Sequence, residues 1–502
     1  MYSNKEYGRA IESLGKWRLR SHDATATARR STQRADYHSR SHERILRELM
    51  AAREENEELR ATLERAARAP ARSLPTPTLH ILCLCLVLRV HVSFRSVPKI
   101  LSVLAHQLGL LLWVPHYTTI IDWALRLGLS RLRAAGRALE PWVGIVDFSI
   151  QCGKERVLVV LRLPLRHMTS HGRAPTLADC ETLAADVRAD WNAERIAATL
   201  SELAMRCGEP AYWLTDGASD LKAGLRSLPR SEESARKPYH LRDVGHVFAN
   251  ALRSMFETRS EFVGLMRALH LCAAQVRQTE FAHLAPPRLR AKGRFQSIER
   301  ITDWFRAVEE HLARYAREGQ TPYQLRLKKF FGWAKEYTTL MHELSGILEL
   351  SNRLQAILKL RGMSREAWPE VAALLETLAP EHPFRARAEP YLRRCLQVSN
   401  FLGGLPLVIS DDVIESLFGV LKSFMGDGKI SNFGRLALMI PTLTGNLTES
   451  AIEEALTDTN TATLRDYVKN RIPKTLLRKR RSQLRLKNIR RRRTGRKLAK
   501  SP

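Results

Sequence analysis

The sequence predicts a multidomain protein in which an α/β core is interrupted by an all-α insertion. Residues 142–163 are rich in β-branched and aliphatic types and contain one polar turn, which is typical of two paired strands. Residues 258–400 have an almost purely helical pattern of leucine stripes. A heptad pattern at residues 41–68 precedes both regions. The 502 residues suffice for two to four domains of about 150 residues each.

The composition indicates a polyanionic partner. Lys and Arg number 81 against 52 Asp and Glu, which gives a formal net charge of +29 and makes nucleic acid the expected partner. The seven Cys are odd in number and form no CxxC pair, so neither a disulfide framework nor a zinc knuckle is indicated, and a reducing cytosol fits. The most apolar run, Ile81 to Leu88, is far shorter than the roughly 20 residues of a membrane-spanning helix.

The amino-terminal region predicts a dimer. Residues 1–40 are polar and basic and are expected to be flexible. A seam of a and d positions follows, at alternating spacings of four and three: Ile45, Leu49, Ala52, Asn56, Leu59 and Leu63. Glu48 and Glu55 then fall at g positions and Arg53 and Arg60 at e positions, which suits a parallel coiled coil with Asn56 fixing a two-stranded register. A single amphipathic helix packed on its own chain is the alternative.

Residues 78–138 predict a helix-turn-helix DNA-binding region after a Pro-rich linker. One helix is expected from an N-cap at Ser96 to Gly109, and a second from Pro115 to Gly128. The first turn of the second helix is where a recognition helix meets base edges, and it contains His116, Tyr117, Thr118 and Thr119. A purely structural helical hairpin is the alternative.

Asp147 is the unusual residue of the predicted hairpin, because it lies between Val146 and Phe148 in an otherwise apolar strand. A buried charge costs several kcal/mol unless it is paired or holds a metal ion. We therefore interpret Asp147 as the first metal ligand of a nucleic-acid enzyme. An acid at a strand edge that faces water is the alternative.

A second carboxylate follows the next predicted strand. Residues 176–206 are predicted to be helical, and a short strand at 211–215 leads directly into Asp216 and Gly217. The glycine allows the backbone to turn sharply at the strand end. We interpret Asp216 as a second site residue; capping of the helix expected at 218–228 is the alternative.

Two further helices carry polar pairs. Asp243 and His246 are three positions apart, which places both on one helix face, although an N-cap beside a surface histidine gives the same pattern. Glu415 and Lys422 lie two turns apart on the helix that begins after Asp411 and Asp412, two acids that suit a helix N-terminus. Surface decoration is the alternative for Glu415 and Lys422.

Basic segments predict contacts with phosphate groups. One follows Pro286 and Pro287 and is expected to be a loop, with a solvated loop as the alternative; it contains Arg288, Arg290, Lys292 and Arg294. Residues 471–502 are Arg- and Lys-rich without apolar periodicity. They predict a disordered tail that binds phosphates without sequence preference.

The order and spacing of Asp147, Asp216 and Glu415 in a basic chain resemble those of the DDE transposases of bacterial insertion sequences, over about residues 80–460. The segment from Asp243 to His246 resembles the C/D-x-x-H signature of several such superfamilies. Glu415 with Lys422 resembles the Glu-x6-Lys portion of a longer Tyr-Arg-Glu-Lys signature. The Tyr and Arg of that signature are absent, since Val408 and Asp411 stand at those positions.

This resemblance implies a ribonuclease H-like core, with a mixed sheet and flanking helices, formed by residues 139–257 and 401–470 around the helical insertion at 258–400. The trio Asp147, Asp216 and Glu415 would hold two Mg²⁺ ions, with Mn²⁺ as a substitute. Water would first free a 3′-hydroxyl at an element end, and that hydroxyl would then attack target DNA. Asp243, His246 and Lys422 would support the site.

The resemblance also implies the partners, which are the DNA of element ends and target and a second copy of the chain bound on that DNA. The expected location is the bacterial cytoplasm, at the nucleoid. Two rival functions use the same fold. One is a DNA-binding regulator without catalysis, and the other is a ribonuclease H-like nuclease without strand transfer.

Overall fold

A computed structural model describes residues 50, 53, 57, 76–109, 113–152, 155–229, 238–288, 295, 297–316, 321–424, 437–473 and 482–484. The strands are β1 Trp142–Cys152, β2 Glu155–Pro164, β3 Glu181–Arg188, β4 Tyr212–Thr215 and β5 Tyr239–Arg242. The helices are α1 Thr76–Leu88, α2 Val97–Leu108, α3 Tyr117–Ala134, α4 His167–His171, α5 Ala193–Cys207, α6 Ser219–Arg226, α7 Val244–Phe256, α8 Ser260–Val276, α9 Glu299–Ala316, α10 Pro322–Phe331, α11 Thr338–Arg361, α12 Trp368–Glu376, α13 Pro383–Phe401, α14 Asp412–Ser423, α15 Glu449–Asp458 and α16 Thr461–Arg471.

The five strands form one mixed sheet in the order β3-β2-β1-β4-β5. β1 pairs antiparallel with β2, and β2 pairs antiparallel with β3, whereas β4 is parallel to both β1 and β5. The hairpin predicted at residues 142–163 and the strand predicted at 211–215 are therefore confirmed. A mixed sheet with flanking helices also agrees with the α/β core that the resemblance implies.

The prediction of one helix over residues 176–206 is wrong in its first half. That stretch contains a short 3₁₀ segment, Leu177–Asp179, and then β3, and the helix begins only at Ala193. The alanines of β3 favour a helix locally, but pairing with β2 buries Leu183 and Val187 in the sheet. Tertiary burial outweighs local propensity here.

One face of the sheet packs on α5 and α6. Trp142 and Trp213 meet edge to face with ring centroids 5.8 Å apart, and Val146 and Leu158 belong to the same core cluster. Gly144 is required beneath them, because a Cβ atom there would lie 2.2 Å from the Trp213 ring. This packing fixes the position of β1, the strand that contains Asp147.

α3 is a core helix, and it does not end at Gly128 as the sequence predicted. It continues to Ala134, and Gly128 lies inside it. Glycine is needed at this position for close packing, because a Cβ atom there would lie 1.8 Å from the carbonyl oxygen of Leu438. Arg126 and Arg131 anchor the same helix by donating to carbonyl groups of the carboxy-terminal region, including those of Thr459 and Asn446.

The chain divides into two compact units, residues 1–76 with 95–116, and residues 77–94 with 117–502. α2 belongs to the first unit, where Gly109 ends it in a left-handed conformation as predicted, whereas Ser96 makes no capping side-chain bond. The sheet and α3 belong to the second unit. The two helices of the predicted helix-turn-helix thus fall in different units, and that assignment stays a prediction.

Helices make up the described part of residues 258–400, as the sequence pattern predicts. α8, α9 and α10 share a small core of their own, with Val276, Val308 and Phe331 buried at its centre. α13 instead packs on α7 of the sheet-containing core. Most of the predicted coiled coil and of the basic tail lies outside the described residues. No helix in the described part of the chain is long and apolar enough to cross a membrane.

Candidate functional site

The parallel pairing of β1 and β4 brings two acids side by side. Val146 pairs with Thr215 in this register, so Asp147 and Asp216, each the next residue, come to adjacent positions. Asp147 continues within β1 and pairs with Val159 of β2, whereas Asp216 leaves the sheet at the end of β4. The sheet topology therefore places both predicted acids at one location.

Asp147 is held in a desolvated position. Its Oδ1 atom accepts a hydrogen bond from the backbone N–H of Phe148 at 2.6 Å. Burial raises the pKa of Asp147 to about 7, and repulsion from Asp216 and Glu415 adds to this, against the opposing effects of the backbone bond and His246. Without a cation, this carboxyl group is thus partly protonated near neutral pH.

Asp216 is fixed by a tight turn. Its Oδ1 atom accepts from the N–H of Ala218 at 2.7 Å in a turn that precedes α6, whose N-cap position is Ala218, so Asp216 is not the helix cap. Gly217 has φ of +86°, and a Cβ atom there would lie 2.8 Å from the Arg242 side chain. Only glycine suits this position, and the turn therefore keeps Asp216 beside Asp147.

Glu415 reaches the two aspartates from α14. This helix packs against β1, and Glu415 is an exposed residue of its first turn. Partial burial raises the pKa of Glu415, His246 opposes this effect, and Asp243 and Asp412 reinforce it. The structure thus brings the three predicted acids within electrostatic range of one another, while Lys422 lies exposed two turns further along α14.

Asp243 caps α7 and lies close enough to the trio for its charge to act on Glu415. Its Oδ2 atom accepts from the His246 backbone N–H at 2.6 Å and lies 3.0 Å from the Nδ1 atom of His246. Its Oδ1 atom accepts from the N–H of Asp411 at 3.1 Å. Burial opposes ionisation, but the bonds from His246 outweigh it and lower the pKa of Asp243. Burial alone would lower the pKa of His246, but the hydrogen bond and charge of Asp243 have the larger effect and raise it.

Asp411 is a buried acid that the sequence predicts at a helix N-terminus and that is the alternative to Glu415 as third ligand. It is 2% exposed and makes no capping bond to α14. Burial raises its pKa, and repulsion from Asp243, Glu415 and Asp147 adds to the effect. The signal in the sequence was an acid directly after the apolar run Leu407 to Ser410, the same context that singled out Asp147.

Two groups among the described residues have potential ligand atoms that all lie within 4.8 Å of one another. One is Asp243, His246 and Asp411; the other comprises His167, His171 and Asp179. The trio Asp147, Asp216 and Glu415 is not among these groups. In the second group, both oxygens of Asp179 are engaged by Arg173 at 2.7 Å.

A positively charged surface borders the acids on the β5 side. Burial lowers the pKa of His240 to about 4, and four nearby cations lower it further. They are exposed residues of α6, β5 and α13, and we call them the basic surface: Lys222, Arg226, Arg242 and Arg394. Because the Arg242 side chain also packs against Gly217, this surface begins directly beside Asp216.

The residues predicted to contact DNA lie elsewhere. His116 precedes α3, and Tyr117, Thr118 and Thr119 form its first turn, with His116 and Thr118 exposed. Arg288 is exposed in the loop after Pro287, while Arg290, Lys292 and Arg294 lie outside the described residues. Their role in DNA binding stays a prediction.

No protein family matches the sequence, and no curated protein matches it either. Among solved structures, the chain is similar to a chain of the Drosophila P element transposase strand transfer complex, with 13% sequence identity and a TM-score of 0.39. That alignment covers 82% of this chain and 100% of the other. A likeness this low carries no argument about function, so the proposal that follows rests on the site itself.

Proposed function

We propose that this protein is a DNA transposase of the DDE type, which cuts and joins DNA strands at the trio Asp147, Asp216 and Glu415. One observation supports this most strongly. The sheet sets Asp147 beside Asp216, and burial together with the charges of Asp216 and of Glu415, nearly 200 positions later in the chain, raises the pKa of Asp147 to about 7. Mutually repelling acids in such a place are costly unless a cation joins them.

The donor atoms suit a hard divalent ion. The trio offers only carboxylate oxygens, which Mg²⁺ prefers, and Mg²⁺ keeps several of its water ligands so that a few carboxylates suffice. Asp147, Asp216 and Glu415 would hold the ions, with Asp147 as the ligand whose charge interacts with both other acids. Two divalent ions in such a centre stabilise the attacking and leaving oxygens of an in-line displacement at phosphorus.

The remaining residues of the site have roles on the DNA side. The basic surface lies beside Asp216 and suits a phosphodiester backbone that approaches the acids, in keeping with the net charge of +29. His246, whose pKa is raised by Asp243, Asp216 and Glu415, lies beside the acids and would support the site. Lys422 would contact the backbone further along α14.

Two rivals share these features. A ribonuclease H-like nuclease would use the same acids to hydrolyse DNA without joining it, and a regulator would bind DNA without cutting. The desolvated carboxyl group of Asp147, with two further acids acting on its charge, favours an enzyme over the regulator. The exposed residues at the start of α3 and the basic segments favour a transposase over the nuclease, because recognition of element ends needs additional DNA contacts.

The test is cleavage of supercoiled plasmid DNA in Mg²⁺ or Mn²⁺ by wild type and by Asp147→Asn, Asp216→Asn and Glu415→Gln. Each variant should lose nicking by at least about a hundredfold while gel-shift binding persists. Asp186→Asn, an acid of β3 paired with Arg188, is the matched control and should cut normally. Joined products would separate transposase from nuclease. Wild type that binds but never cuts would establish the regulator, and a fully active Glu415→Gln would remove Glu415 from the trio.

A further inference from the structure

The cluster of Asp243, His246 and Asp411 is built from two separate parts of the chain. Asp243 and His246 begin α7 after β5, whereas Asp411 ends the loop that returns from the helical region to α14. The two aspartates are 3% and 2% exposed, and the N–H of Asp411 donates to Asp243. A second backbone bond, from Val244 N–H to the Ile409 carbonyl at 2.9 Å, holds the same two segments together.

One atom of this cluster lacks a partner. The Oδ2 atom of Asp411 is fully buried and makes no hydrogen bond, although Asp411 belongs to the group whose potential ligand atoms are all within 4.8 Å of one another. A buried polar atom without a partner costs about 1–3 kcal/mol, and more when it carries charge. The neighbouring Asp243 oxygens can meet this atom only through a proton or a cation, because ionised carboxylates accept hydrogen bonds and donate none.

The surroundings leave room for a small ligand. A cavity of about 180 Å³ borders Asp243 and Glu415 and is lined by polar side chains of α11, among them Gln355 and Lys359. Gly245 faces the cavity, and a Cβ atom there would lie 3.0 Å from Asp243 Oδ2 and 3.3 Å from Gln355 Oε1. The glycine therefore keeps the approach to the Asp243 carboxylate open.

We propose that Asp243, His246 and Asp411 bind a divalent cation at a site separate from the trio. Two carboxylates and an imidazole are a donor set that suits Mn²⁺ or Zn²⁺ better than Mg²⁺ or Ca²⁺, which favour oxygen ligands alone. The cation provides the partner that Asp411 Oδ2 lacks. It also ties the start of α7 to the start of α14, the helix that contains Glu415. The site does not depend on the proposed DNA cleavage.

The experiment counts Mn²⁺ ions by electron paramagnetic resonance on the full chain after removal of metals with EDTA. The background is Asp147→Asn/Asp216→Asn/Glu415→Gln, which removes the trio's charges. We expect this triple variant to retain one Mn²⁺ per chain. Adding Asp411→Asn should weaken its binding by tenfold to a hundredfold, and His246→Gln should do the same. The Asn substitution keeps the shape of Asp411 and relieves repulsion, so circular dichroism should show a folded chain.

Several outcomes would overturn the proposal. A triple variant without any bound Mn²⁺ would show that the trio alone binds metal. Mn²⁺ retained at full affinity after both Asp411→Asn and His246→Gln would place the ion elsewhere, for example at His167 and His171, and His171→Gln would then release it. Because these measurements count ions and not DNA products, they separate failure of this site from failure of the proposed cleavage.

Discussion

Asp147→Asn should stabilise the metal-free protein, and the gain should depend on pH. The pKa of Asp147 rises from an ordinary value of 3.8 to about 7, because the folded protein disfavours its ionised form. The ionised carboxylate therefore lowers the free energy of unfolding above about pH 7, and this destabilisation disappears as the pH falls from 7 towards 3.8. Asparagine has the same shape and carries no such cost.

The magnitude follows from the two pKa values. A change of one pH unit corresponds to 1.36 kcal/mol, so the span from 3.8 to about 7 amounts to about 4 kcal/mol. This is a ceiling, because the metal-free site can relax part of the repulsion. At pH 8.5 the Asn variant should therefore be more stable by up to about 4 kcal/mol, and at pH 5 by under about 2 kcal/mol.

The assay is urea unfolding of wild type and Asp147→Asn at pH 5 and pH 8.5 in EDTA. Repeating it with saturating Mg²⁺ supplies an internal control, because the ion should stabilise wild type and leave the variant nearly unchanged. A variant that is no more stable than wild type at pH 8.5, or whose advantage is the same at both pH values, would refute the desolvated carboxylate. The proposed metal centre would then lose its main physical support.

Two other predictions test the fold and the DNA path. Gly128→Ala should destabilise the protein by at least about 2 kcal/mol in urea unfolding, since its Cβ would lie 1.8 Å from the Leu438 carbonyl. The control is Gly346→Ala in α11, whose Cβ would meet nothing within 4 Å and which should stabilise the protein by about 1 kcal/mol. Equal effects of the two substitutions would contradict the close packing of α3. Removal of one cation of the basic surface, by Lys222→Ala, Arg242→Ala or Arg394→Ala, should make the slope of log K against log salt for duplex DNA less steep by about 0.9. The control Arg253→Ala removes an arginine that is paired with Glu257 and should leave the slope unchanged. Unaltered slopes in all three variants would exclude the basic surface from the DNA path.

Local patterns predicted those parts of the fold that depend on local chemistry. The hairpin around Asp147 and the strand before Asp216 were readable, because apolar β-branched runs ended by turns specify strands within a few residues. β3 was not readable, since Ala184 and Ala185 favour a helix and only pairing with β2 makes this segment a strand. Gly128 was misread for a related reason: a glycine marks a helix end locally, but here it admits the backbone of a segment more than 300 positions away.

In the candidate site, too, residues with a local sequence signal were predictable, and residues placed by distant contacts were not. Asp147 and Asp216 stood out because each is a carboxylate at an apolar strand. Asp411 also follows a short apolar stretch, yet its place beside Asp412 made a helix N-terminus the simpler interpretation. Its burial depends on the bond to Asp243, a partner 168 positions earlier, which no local pattern reveals. The basic surface was likewise invisible, since α6, β5 and α13 contribute single residues that converge only in the folded chain.

The position of Glu415 is decided where the helical region rejoins the sheet. The returning loop is fixed by buried bonds to the sheet and to the start of α7: the Tyr212 hydroxyl donates to the Val408 carbonyl at 2.8 Å, and Asp411 N–H donates to Asp243. The first bond joins the loop to the start of β4, and the second joins it to the acid that follows β5. A long insertion therefore leaves the trio intact, because the loop's bonds fix the start of α14 relative to β4 and β5. Loosening that loop should displace Glu415 while leaving Asp147 and Asp216 in register.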